Sequence, residues 1–246
     1  MYLSPEAPPA TAPNQLPCEI RPTGNRQRWF ELFLVLMISL GSFFINSLYL
    51  LKYGPSATPH ISTIRWLAGI FQETTSLLLL GYVLSRRHLR FKDLGFRWSW
   101  RDLGVGLLVA GISYAAYIGG ALFVQVFHFA VYGTRAVGPN SNDFFAHPTL
   151  AIIPFMLLNP FFEELIVRAY LMTEILELTG SSALAVAVSV AVQFSYHLYY
   201  GWVGATTLAF VFLSFSFYYI RSRRALPIVV AHGFFDLLSM VRLLTR

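Results

Sequence analysis

The sequence predicts an all-α bundle of about seven membrane-crossing helices, and three observations carry that reading. Hydrophobic residues fill 56% of the 246 positions and charged residues only 12%, at a mean hydropathy of +0.57, which is more apolar than a soluble domain of this length. Seven windows approach the roughly 20 apolar residues that a bilayer crossing needs. The arginines and lysines gather in alternate connections between those windows, as the positive-inside bias distributes them. That clustering accounts for the net charge of +6, so the lipid bilayer is the expected surroundings and nucleic acid is not an expected partner. A single cysteine, Cys18, leaves no internal disulfide and no thiolate metal site.

Residues 1–28 are expected to form a flexible tail, because Pro5, Pro8, Pro9, Pro13, Pro17 and Pro22 punctuate a stretch with few large apolar side chains. The apolar run that follows Arg21, Arg26 and Arg28 is too long for a signal-peptide core and lacks a small-residue cleavage site, so the first span is expected to stay attached. Residues 29–148 hold three windows, at 29–51, 64–84 and 103–131. The third is long enough to tilt steeply or to break at Gly119 and Gly120. Between the second and third lies the basic stretch 85–101, where Trp98 and Trp100 suit a membrane-surface segment. Residues 149–246 hold four more windows, at 150–178, 182–200, 203–220 and 225–244. In the fourth window, Pro154 and Pro160 are expected to kink the helix just before two glutamates. In the fifth, Ser182, Ala183, Ala185, Ala187, Ser189 and Ala191 favour close helix contact.

Counting basic residues orients this layout. With the N-terminus in the cytoplasm, twelve fall inside, from Arg21, Arg26 and Arg28 through the 85–101 stretch to Arg221, Arg223 and Arg224. Five fall outside, Lys52, Arg65, Arg135, Arg242 and Arg246, and Arg168 lies within a span.

The chemistry concentrates at 159–171, NPFFEELIVRAYL, where Glu163, Glu164 and Arg168 interrupt an apolar window. An ionised side chain at the centre of a membrane helix costs about 2.5–3.5 kcal/mol on insertion scales, so such groups point to function. Helical periodicity sets Glu164 and Arg168 one turn apart on one face, a held ion pair, and leaves Glu163 without such a neighbour and free to exchange a proton. Gln193 and His197 on the fifth helix are also one turn apart, as are His232 and Asp236 on the seventh. Three helices therefore bring together a carboxylate and two imidazoles. A base, a second group to share the proton and a donor for the oxyanion are what peptide hydrolysis by activated water requires. One full span per window would leave His197 near the outer face and His232 nearer the inner, so either the 198–203 connection dips into the membrane or the helices tilt strongly. Glu73, in the second window, has no partner that the sequence names. His60, His88, His128 and His147 read as surface or packing residues.

These residues resemble the motifs of the CAAX protease and bacteriocin-processing (CPBP, formerly ABI) intramembrane peptidases, which include Rce1-type prenyl-protein proteases. The family's EExxxR corresponds to Glu163, Glu164 and Arg168, its FxxxH to Gln193 and His197, and its HxxxN to His232 and Asp236, over about residues 150–245. Gln193 stands where the family has Phe, and Asp236 where many members have Asn. An ionised Asp cannot donate to an oxyanion, so that role passes to His232 unless Asp236 is protonated. The resemblance implies an Rce1-like core and an intramembrane endopeptidase. Its expected substrates are prenylated CAAX-type tails, leader peptides or membrane-anchored peptides. Glu163, helped by His197, would activate water, His232 would hold the oxyanion, and Glu164 with Arg168 would support them. No cofactor is expected. The alternative is a metalloprotease in which Glu163, His197, His232 and Asp236 hold Zn²⁺, a set that lacks HExxH spacing. A rival from another class is a non-enzymatic scaffold or bacteriocin-immunity-type protein on the same fold. Its hallmark would be a broken Glu or His, and none is broken here.

Overall fold

The computed structural model describes residues 24–54, 63–138 and 150–244. The proline-rich stretch up to residue 23, Cys18, His60 and His147 lie outside them. The helices are α1 (Asn25–Tyr53), α2 (Thr63–Arg86), α3 (Trp100–Tyr132), α4 (Ile152–Glu163), α5 (Leu171–Thr179), α6 (Ser182–Tyr196), α7 (Gly201–Ser222) and α8 (Leu226–Leu244). Between α4 and α5 the chain stays helical, because Glu164–Tyr170 is a π-helical stretch that joins them into one rod. With that rod counted once, seven helical units occupy the seven apolar windows among the described residues. Four segments are by themselves long and apolar enough to cross a membrane: α1, α2, α3 and Leu198–Ser222. The protein is an all-α integral membrane protein.

Glycines set the closest approaches. The third window does not break at its Gly-Gly pair: α3 runs unbroken for 33 residues. Gly120 instead admits the ring of Phe210 from α7, where an added Cβ would lie 2.5 Å from a ring carbon. Gly106 does the same for Val230 on α8, at 2.6 Å, so α3 lies close along both C-terminal helices. The rod of α4 and α5 ends at Gly180, whose φ of 70° is the left-handed conformation that favours glycine. Ser181 then caps α6 by accepting from the Leu184 N–H at 3.2 Å.

Polar contacts fix which connections share an end of the bundle. The buried Glu174 on α5 accepts from Arg28 Nε of α1 at 2.9 Å and from Arg87 Nη1 at 2.8 Å, just past the end of α2. Tyr219 of α7 donates to Leu94 O at 3.0 Å, and the Ala225 N–H donates to Gly95 O at 3.0 Å. The start of α1, the 85–101 stretch, the end of α5 and the α7–α8 turn are thus gathered at one end. Most of the described basic residues outside the core lie in these segments. Trp98 and Trp100 are exposed there, beside the short 3-10 turn Phe91–Leu94. At the opposite end Arg65 donates to Asn46 Oδ1 at 3.2 Å, tying the start of α2 to the end of α1.

Candidate active site

The rod is the buried axis of the molecule: every residue from Phe162 to Met172 is buried. Pro160 lies within α4, and the helix departs from α-geometry only after it, at Glu164. π turns leave irregular carbonyls where they meet α turns, and neighbouring hydroxyls are aimed at two of these. Ser189 donates to Val167 O at 3.0 Å and Tyr219 lies 3.1 Å from Ala169 O.

Adjacent positions on such a helix face different neighbours, and the two glutamates reach two different helices. Glu163 faces α6: its Oε2 accepts from Gln193 Nε2 at 2.8 Å and from the Tyr196 hydroxyl at 2.7 Å. Its Oε1 accepts one longer contact, from Asn159 Nδ2 at 3.4 Å. This differs from the expectation that Glu163 is free of neighbours. Helical spacing along one chain shows only partners on the same rod, and those from α6 come from across the bundle.

Glu164 faces α8. Its Oε1 accepts from His232 Nδ1 at 2.8 Å and lies 3.4 Å from Arg168 Nη1. Arg168 is fully buried, and its guanidinium carbon stands 5.5 Å and 5.7 Å from the ring centroids of Phe212 and Phe215. Asp236 Oδ1 is 3.8 Å from His232 Nε2, too far for a hydrogen bond. A carboxylate only accepts, so Nδ1 of His232 carries the hydrogen, and Nε2 is the nitrogen left to meet a substrate.

His197 ends α6. Its Nδ1 donates to Gln193 O at 2.9 Å, since a carbonyl only accepts. In neutral imidazole that leaves the Nε2 lone pair open. Phe212 and Tyr196 pack against the ring, with centroids 4.8 Å and 4.7 Å away. The fifth window was read as a helix to residue 200, but α6 stops at Tyr196 after 15 residues. At 1.5 Å per residue that is about 22 Å, short of a roughly 30 Å hydrocarbon core. A 3-10 turn at Leu198–Tyr200 follows, and the Tyr199 N–H donates to Ser47 Oγ on α1, more than one turn before that helix ends. The connection is therefore recessed within the bundle, which places His197 level with the glutamates.

Sequence reasoning missed three participants. Asn159 stands one turn before Glu163, a signal that the same spacing rule finds. Tyr196 carries no signal beyond adjacency to His197. Glu73 does have a partner: it accepts from Asn159 Nδ2 at 2.8 Å. Gln193, the departure from the family's Phe, holds Glu163 directly. Of the small residues on α6, Ala185 and Ser189 are buried in contact with the core, whereas Ser182, Ala183, Ala187 and Ala191 line an open apolar groove with Leu213 and Phe217. His128 is half-buried and bonds Thr134 O at 2.9 Å.

The zinc alternative would draw on Glu163, His197, His232 and Asp236. Among the described residues no three His, Cys, Asp or Glu side chains are gathered as a ligand set for one ion. Both oxygens of Glu163 already accept, while each histidine has Nδ1 engaged and Nε2 open.

Compared with known proteins, residues 145–238 match the family model described as type II CAAX prenyl endopeptidase Rce1-like. No curated protein and no solved structure matches. The matched stretch contains Glu163, Glu164, Arg168, His197, His232 and Asp236, the residues whose spacing first set it apart. Through this stretch the chain is similar to the CAAX prenyl endopeptidases, and residues 145–238 make up its Rce1-like core.

Proposed function

We propose that the protein is an intramembrane endopeptidase that cleaves lipid-anchored or membrane-inserted peptides by glutamate-activated water. The supporting observation is the division of the two acids, Glu163 toward α6 beside His197 and Glu164 toward His232 on α8. Oε2 of Glu163 is occupied by two short donors, so Oε1 is the oxygen with capacity to take the proton from water as its oxygen attacks the scissile carbonyl. The Nε2 lone pair of His197 orients that water. His232, held through Nδ1 by Glu164 and carrying a second proton on Nε2 beside the Asp236 carboxylate, donates from Nε2 as an imidazolium to the oxyanion. When the tetrahedral intermediate collapses, the C–N bond breaks and Glu163 returns its proton to the leaving amine. Prenylated CAAX-type tails are the first substrates to try, because the matching family model describes prenyl endopeptidases. Bacterial leader peptides are the second.

The test uses purified protein in lipid nanodiscs, with a farnesylated CAAX peptide, the same peptide unprenylated and a leader peptide. Cleavage of the farnesylated peptide that survives chelation and dialysis is expected. Asp236→Asn, which restores the residue common in the family, should retain most of that activity. Stoichiometric zinc in active wild type, lost together with activity in Asp236→Asn, would replace this mechanism with a metal-dependent one. No cleavage of any substrate class would favour a non-enzymatic scaffold.

The basic end of the bundle is proposed to be cytoplasmic, together with the N-terminus. In a Cys18→Ser background, Ser85→Cys should resist an impermeant thiol reagent in intact cells and react after lysis. Labelling in intact cells would invert the topology.

A further inference from the structure

The contact between α2 and α4 includes two rungs, and the second ends at the proposed base. In the first, Gly69 admits Phe155 so closely that an added Cβ would lie 2.7 Å from a ring carbon. Four residues further along each helix, Glu73 meets Asn159, whose Nδ2 donates to Glu73 Oε1 at 2.8 Å. Glu73 is fully buried, and its Oε2 has no hydrogen-bond partner among the described residues. The same Nδ2 lies 3.4 Å from Glu163 Oε1. One amide nitrogen, with two hydrogens to give, therefore stands between two carboxyl groups on different helices.

We propose that Glu73 is a positioning residue for Glu163, acting through Asn159: by accepting one N–H it keeps the nitrogen side of the amide turned toward Oε1. The proposal rests on the reading of Glu163 as the base. An asparagine amide without that anchor turns over freely and can present its oxygen to the carboxylate, which repels it. The arrangement also explains why an acid in the second window has no charged partner: its partner is the amide that faces the site.

The experiment compares full-length wild type, Glu73→Leu and Glu73→Gln in lipid nanodiscs, with two readouts. One is kcat and KM on a farnesylated CAAX peptide. The other is the infrared carboxylate band that Glu163→Gln removes, which reports on Glu163 whether or not the peptide is cleaved. Glu73→Leu should shift that band and lower kcat by roughly ten- to a hundredfold at constant KM, the scale of one charge-assisted hydrogen bond. Glu73→Gln keeps an acceptor for Asn159 and should recover most of both. Asn159→Leu should reproduce Glu73→Leu, and combining the two should add nothing. If Glu73→Leu does not fold, Glu73→Met serves in its place. A band unmoved by loss of the Glu73 carboxyl, or Glu73→Gln as damaging as Glu73→Leu, would overturn the proposal. Cleavage indifferent to Glu163→Gln would instead sink the catalytic reading, and the band would still decide the link between Glu73 and Glu163.

Discussion

Glu163→Gln is expected to lower cleavage by about 10²–10⁴-fold, the range that one positioned base contributes, while leaving the protein folded. The change conserves volume, and an amide oxygen in the place of Oε2 still accepts from Gln193 and Tyr196. What is lost is the Oε1 acceptor. The new NH₂ group cannot take a proton from water, and it faces the N–H of Asn159 donor to donor. That single weak clash should cost about 1 kcal/mol, or roughly 2–4 °C in thermal midpoint for a chain of this size. Turnover and thermal unfolding of the same preparation check both halves. Retained turnover would remove Glu163 from the role of base, and gross loss of fold would make it a structural residue.

Glu164→Gln is expected to act in the opposite proportion, with a large loss of stability. Arg168 has no exposed surface, and Glu164 is the one carboxylate within ion-pair distance of it among the described residues. Removing that charge leaves the guanidinium with two aromatic faces, and breaking a buried pair from one side costs about 3–5 kcal/mol. The penalty belongs to the stranded cation. Glu164→Leu combined with Arg168→Leu should therefore recover much of the stability, because replacing both members of a buried pair is often near neutral. Activity should not return in the double variant, since His232 Nδ1 then has no acceptor. Thermal unfolding of the single and double variants measures this. Equal stability of Glu163→Gln and Glu164→Gln would end the division of labour between the two acids.

The helices and the charged members of the site were legible in the sequence because ionised residues stand out against apolar windows. Three features were not, each for a physical reason. Hydropathy reads through His197, Leu198, Tyr199 and Tyr200 because aromatic residues are apolar enough to continue a span, so the end of α6 at Tyr196 left no trace. The π stretch has no compositional mark; its residues would serve equally well in an α-helix. The engagement of Glu163 by Gln193 and Tyr196 depends on how α4 and α6 are rotated about their axes. Periodicity along one chain places residues on a face but does not say which helix that face meets.

The burial of the rod also bears on the order in which the chain is made. Two glutamates and an arginine at mid-span cost on the order of 8–10 kcal/mol in lipid at the per-residue insertion values, so residues 152–179 make a poor span on their own. They leave the ribosome before the helices that satisfy them. Gln193 and Tyr196 follow about 30 residues after Glu163, and His232 follows 68 residues after Glu164. Until α8 arrives, the acidic segment depends on α2 and the earlier helices for shelter. Insertion of this acidic segment is thus expected to be cooperative, with α8 supplying both the last partner of its glutamates and the last member of the candidate site.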